Sequence, residues 1–139
     1  GDLKLDYAAT PNFFWEMNVE DNAFLVVRND IGSIGFLHAS CTEWKNTFSF
    51  EVYGEIGKLE ISGLGGSYGI EKLTHYKMSP EMGPPETYSW EFPMADDSWK
   101  VEVQDFISDI NLGTNHSDNS VSSLKVLKLV KEIYERSGR

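Results

Sequence analysis

"TFSFEVYGEIGKLEIS", residues 47–62, alternates polar and apolar side chains, breaks at a pair of glycines, and then alternates again. Successive side chains of extended backbone point to opposite faces. Phe48, Phe50 and Val52 therefore share one face of a strand, and Thr47, Ser49, Glu51 and Tyr53 share the other. Gly54-Glu55-Ile56-Gly57 turns the chain, and Lys58 to Ser62 returns with Leu59 and Ile61 inward. Two alternating runs joined by a short glycine turn describe a hairpin, which commits this part of the chain to an antiparallel sheet.

The next stretch, Gly63-Leu64-Gly65-Gly66-Ser67-Tyr68-Gly69, looks like a loop that holds a phosphate. Its spacing says otherwise. A dinucleotide fingerprint counted from Gly63 needs a third glycine where Tyr68 stands, and no lysine follows as a Walker loop requires. In Ile70 to Tyr76, Leu73 and His75 point one way and Thr74 and Tyr76 the other, which is a strand and not a helix with its dipole aimed at an anion. GLGGSYG is read as a link between strands, its glycines supplying positive φ. A loop from Ser79 to Pro85 holds three of the five prolines, and Tyr88 to Phe92 alternates once more.

Upstream, Leu3 to Tyr7 alternates, Asn12 to Met17 reads as a loop or short strand after Pro11, and Ala23 to Arg28 is a continuous apolar strand. Asn29 to Gly32 is a turn, and Ser33 to Thr42 completes that hairpin. Downstream the period changes. Ser98 stands where a helix cap would, with Glu102 near the first turn, and Trp99, Val103, Phe106, Ile107 and Ile110 fall on one helical face that ends at Asn111-Leu112-Gly113. After a polar loop over 114–119, a second helix is expected over about 120–137. Leu124, Leu127, Val130, Ile133 and Tyr134 form its apolar stripe, and Gly138 stops it.

Strands followed by helices predict an α+β domain: an open, mostly antiparallel sheet with helices packed on one face. The uncovered face, to which Tyr53 and Trp90 are assigned, is expected to meet a second domain or a second subunit, so a homo-oligomer is anticipated. The 139 residues suit one domain, 1–139. The net charge of −10 argues against nucleic acid and anionic membranes as partners, because both need a basic face. Cys41 is the only cysteine, so no internal disulfide forms; with no long apolar run and no secretory signal, a cytoplasmic protein is expected. The sequence opens at Gly1-Asp2 already in a strand pattern, which reads as a piece cut from a longer protein.

Chemistry-bearing residues are few. His38, His75 and His116 have no partner at metal-ligand spacing, and no G-x-S-x-G elbow supports a hydrolase. The pairs Glu20-Asp21 and Asp96-Asp97 sit at element starts, where a turn or cap role is the default over acid–base work. Cys41 to Asn46 is more unusual. Trp44, Lys45 and Asn46 gather an indole, an ammonium and a carboxamide, which is what a sugar or polyol needs, with a lysine to grip an anion. The same residues also suit a wide edge bulge with an exposed lysine.

Four segments, taken in order, resemble the C-terminal domain of the Gfo/Idh/MocA oxidoreductase family. They are "VEDNAFLVVRNDIGSIGFLHAS", "FSFEVYGEIGKLEISGLGGSYGIEKL", "SWKVEVQDFISDINLG" and "SLKVLKLVKEIYERS", which carry E-D-x-A, E-V-x-G-x-x-G-x-L, F-I-x-x-I-x-x-G and I-Y-x-x-S. They span Val19 to Ser137. The resemblance implies a substrate-binding and oligomerisation domain of an NAD(P)-dependent dehydrogenase acting on a sugar, inositol or related alcohol. The cofactor would sit on a Rossmann domain outside this chain. The family's Rossmann glycines, E-K-P lysine motif and D-x-x-x-H motif are all absent here, so no residue inherits a catalytic or cofactor-binding role, no metal is implied, and the isolated domain should be inactive. The segment before the E-V-x-G strand reaches towards substrate in the family. That implies Trp44 as a sugar-stacking wall, Asn46 as a hydroxyl partner and Lys45 as an anion grip. A free-standing, non-enzymatic binding or dimerisation module is the alternative.

Overall fold

The computed structural model describes residues 2–114 and 118–138, so His116 and part of the expected 114–119 loop lie outside the described residues. The elements, in sequence order, are β1 (Leu3–Ala9), β2 (Asn22–Asn29), β3 (Ile34–Ser40), β4 (Ser49–Tyr53), β5 (Gly57–Ser62), β6 (Glu71–Lys77), β7 (Glu86–Phe92), α1 (Ser98–Leu112) and α2 (Asp118–Arg136). Every strand pairing is antiparallel, and the strands precede the helices, so the α+β class holds. The strands fall into two sheets, β1-β2-β3 and β4-β5-β6-β7. The protein separates into two compact units, residues 1–44 with 108–139 and residues 45–107.

In the first unit, Leu5 stands opposite Val27 in the β1–β2 register, and Ile133 of α2 closes over both. These three are buried, with Ala8, Leu25 and Leu129 packed around them. Gly35 is paired with Val27 on β3, and a Cβ there would come within 3.0 Å of a Val27 methyl, so glycine leaves room for that valine. A bulge between Leu5 and Tyr7 interrupts the register of β1. At that bulge the Arg136 guanidinium donates to the Leu5 carbonyl at 2.7 Å, and the Tyr134 hydroxyl donates to the Glu20 carboxylate at 2.7 Å. The first bond fastens the last turn of α2 to β1, and the second fastens it to the segment before β2. The apolar stripe of α2 is wider than the sheet it meets. Leu129 and Ile133, one turn apart on one face, take the contact, whereas Leu124 and Leu127 are exposed.

The second unit is a meander of four strands. Phe50 pairs with Ile61 and Val52 with Leu59, as the alternation predicts. Leu73 then pairs with both Ile61 and Trp90. The register therefore puts Trp90 on the apolar face with Phe50, while Tyr53 pairs with Lys58 on the opposite face. The expectation that Tyr53 and Trp90 share one face is corrected, because strand parity must be carried across β5 and β6 to relate β4 to β7. On the polar face, Lys58 bonds Glu51 and Glu60 and lies over the Tyr53 and Tyr76 rings, at 5.3 and 5.2 Å. The Glu51 hydrogen bond raises the Lys58 pKa above its ordinary value, desolvation opposes this, and the Glu60 bond adds to the rise.

Residues 63–69 do link two strands. Gly66 to Tyr68 form one 3-10 turn, and Gly63 sits at φ +75, where a Cβ would run into the Ile70 carbonyl. β6 follows directly, so no α-helix N-terminus faces this loop. At the start of α1 the Asp96 carboxylate accepts the Ser98 N–H at 2.9 Å, the turn role expected of that acid pair. Trp99, Val103, Phe106, Ile107 and Ile110 of α1 are all exposed. Gly113 and Gly138 follow the two helices at positive φ, as helix stops require.

Candidate functional site

Asp21 is 2% exposed, the most completely buried charged residue among those described. It sits immediately before β2, facing the loop that follows β1. Its Oδ2 accepts the backbone N–H groups of Phe13, Phe14 and Trp15 at 3.0, 2.8 and 2.9 Å. Its Oδ1 accepts the Phe13 N–H at 2.9 Å and the Asn22 amide at 3.0 Å. Burial pushes the carboxyl pKa up, but the bonds from Trp15, Phe13, Phe14 and Asn22 outweigh it and hold the group well below the usual carboxylate range. The Asn12 amide bonds the carbonyls of Trp15, Met17 and Val19 from inside the same loop, at 3.2, 3.0 and 2.7 Å. A loop with little regular structure is thus fixed by two side chains.

That loop carries an exposed aromatic cluster. Phe14 lies edge-on to Trp15 and to Trp44, with ring centroids 4.9 Å away in each case. Trp15 and Trp44 are 6.3 Å apart and inclined at 59°. Trp44 holds φ +56, a left-handed conformation that bulky residues rarely adopt. A second stack runs beside it, with Phe24 on the His38 ring at 4.4 Å and Phe13 at 6.5 Å from Phe24.

Asn22, also buried, connects Asp21 to the end of β3. Its amide donates to Asp21 and to the Thr42 hydroxyl at 2.9 Å, and its carbonyl oxygen faces His38 Nε2 at 3.1 Å. Both amide hydrogens are committed, so His38 must carry its proton on Nε2 to complete the network. Nδ1 of the same ring faces the Glu43 carboxylate at 3.6 Å. The Asn22 bond fixes the ring of His38 in orientation.

The three residues singled out in the sequence separate into two surroundings. Trp44 closes the first unit and joins Phe14 and Trp15. Lys45 and Asn46 open the second. The Asn46 amide donates to the Ser67 hydroxyl at 2.7 Å, which ties it to the glycine-rich loop, and Lys45 is exposed. Sequence reasoning missed Phe14 and Trp15. Their signal was present in the run Asn12-Phe13-Phe14-Trp15, which is too aromatic for an ordinary exposed loop.

Among the described residues, no group of three or more His, Cys, Asp or Glu could hold a metal ion, and no helix is long and apolar enough to cross a membrane. No family model, no curated protein and no solved structure matches the sequence.

Proposed function

We propose that this protein is the substrate-binding and oligomerisation domain of an NAD(P)-dependent dehydrogenase that oxidises or reduces a sugar, inositol or related alcohol, of the Gfo/Idh/MocA kind. The observation that carries the reading is the ordered series of four motifs and the elements on which they fall. E-D-x-A opens β2, with its aspartate in the buried loop cradle; E-V-x-G-x-x-G-x-L forms the β4–β5 hairpin; F-I-x-x-I-x-x-G runs out α1 to Gly113; I-Y-x-x-S ends α2. Trp44 then serves as a stacking wall, Asn46 as a partner for a hydroxyl and Lys45 as a grip for an anionic group. The glycine-rich segment joins two strands through a 3-10 turn, so it does not present a helix N-terminus to a pyrophosphate. In this reading NAD or NADP belongs to a Rossmann domain of the full-length protein, and hydride transfer is a property of that protein alone.

The apolar face of the four-stranded sheet supports the oligomer in the same proposal. Phe50, Val52, Leu59, Ile61, Tyr88, Trp90 and Phe92 are each between 38% and 55% exposed on that face. The test is to express the native full-length reading frame and follow NAD(P)H formation with a panel of sugars and inositols. Turnover by the full-length protein and none by the 139-residue domain is expected. A reading frame that holds no Rossmann half would overturn the dehydrogenase and leave a binding or dimerisation module.

A further inference from the structure

We infer that Phe14, Trp15 and Trp44 act together as a preformed stacking platform for the ring of a pyranose. The inference rests on the sugar-dehydrogenase reading for the role of Trp44 and adds the two residues that complete the surface. Three observations converge on it. The rings touch one another, yet Phe14 is 61%, Trp15 46% and Trp44 68% exposed, so this contact does not serve to bury them. Their backbone is held in place from below, because the N–H groups of Phe14 and Trp15 are bonded to the buried Asp21 carboxylate. Trp44 keeps a left-handed backbone that costs stability, and strain of that kind persists where the surroundings impose it.

The geometry selects the ligand. Indole faces pack against the C–H face of a pyranose, and the 59° inclination of the two indoles gives one of them as a floor and the other as a side wall. Glu16 and Glu43, each next in sequence to a platform residue and both exposed, can accept hydrogen bonds from ring hydroxyls. Holding the rings in place beforehand also avoids the ordering cost that a mobile loop would add to weak stacking.

The indole N–H resonances provide the test. There are four tryptophans, so Trp90 and Trp99 serve as internal references for Trp15 and Trp44. Titration of the 139-residue domain with methyl β-D-glucopyranoside should shift the Trp15 and Trp44 signals saturably and leave the other two unmoved. The acyclic polyol D-glucitol, which has no ring face, should bind about tenfold more weakly. Phe14→Ala and Trp15→Ala should each weaken the glucoside by about tenfold. Trp15→Phe, which keeps an aromatic ring in the cluster, should give an intermediate loss. Shifts at Trp90 or Trp99 in place of Trp15 and Trp44 overturn the platform, as does equal affinity for the cyclic and the acyclic ligand, or the absence of any shift. Turnover of sugars by the full-length protein with unmoved indoles removes the platform and leaves the dehydrogenase. Saturable indole shifts without any turnover keep the platform and remove the dehydrogenase.

Discussion

At the residue scale the molecule depends on one carboxylate. Asp21 gathers three consecutive N–H groups that a loop would otherwise leave to water, and by doing so sets the position of Phe14 and Trp15. Asp21→Asn keeps the size of the side chain but turns one acceptor into a donor that faces donors. The expected result is a loose loop on an intact sheet, seen as loss of most near-UV circular dichroism from the aromatic cluster while the far-UV signal stays close to wild type. The pH dependence follows from the lowered pKa. The folded protein keeps this carboxylate ionised where the unfolded polypeptide, near the ordinary aspartate value of about 4, begins to take up a proton. The contribution of Asp21 is complete above that value and is lost progressively as pH falls through it towards the folded pKa. Denaturant midpoints measured from neutral pH downwards should therefore begin to fall near about pH 4, and Asp21→Asn should flatten that part of the curve. The acid pair Glu20-Asp21 was legible as a turn or cap. That its partners lie six to eight residues upstream was not, because nothing in the spacing of Phe13, Phe14 and Trp15 says which N–H groups converge.

At the element scale the strands were the most legible part. Thr47 to Ser62 gave its hairpin from alternation alone, since a face that is apolar every second residue has one register that keeps it together. The helices were legible in extent but not in which side packs. Periodicity finds a stripe; it does not say which part of a wide stripe meets a sheet. The distinction is measurable on α2. Ile133→Ala removes a side chain packed on Leu5 and Val27 and should cost about 2–5 kcal/mol in urea unfolding. Leu127→Ala, on the exposed part of the same stripe, should stay within about 0.5 kcal/mol. Equal effects would mean that the contact lies elsewhere on the helix. For the candidate site, the sequence singled out Trp44, Lys45 and Asn46. It did not reveal that Trp44 would join an aromatic cluster and Asn46 a glycine loop, because both surroundings are assembled from residues more than twenty positions away.

At the scale of the whole molecule, the apolar face of the four-stranded sheet sets the expectation for assembly. Its residues are paired strand to strand but left open on one side, and a face of this kind is stable in water when a partner covers it. On the proposed reading the partner is a second copy. Light scattering at high concentration should then give twice the mass of the single polypeptide, and Phe50→Glu, which places a charge on that face, should return the monomer mass without lowering the unfolding temperature of the monomer. A wild-type protein that remains monomeric at high concentration would refute the sheet-to-sheet dimer.

The first compact unit is interrupted: its sheet lies within residues 1–44, and the helix that covers Leu5 and Val27 comes after residue 107. On the ribosome this sets an order of events. Every strand of the four-stranded sheet has been made, with its partners beside it in the sequence, before Ile133 is added. The three-stranded sheet is made before the four-stranded one, but Ile133, which closes over Leu5 and Val27, is made after both. A nascent polypeptide halted before α2 therefore holds one sheet with all its strand partners and one still waiting for its cover. The β1–β2 pair, although made before the four-stranded sheet, depends for its cover on a helix made after it.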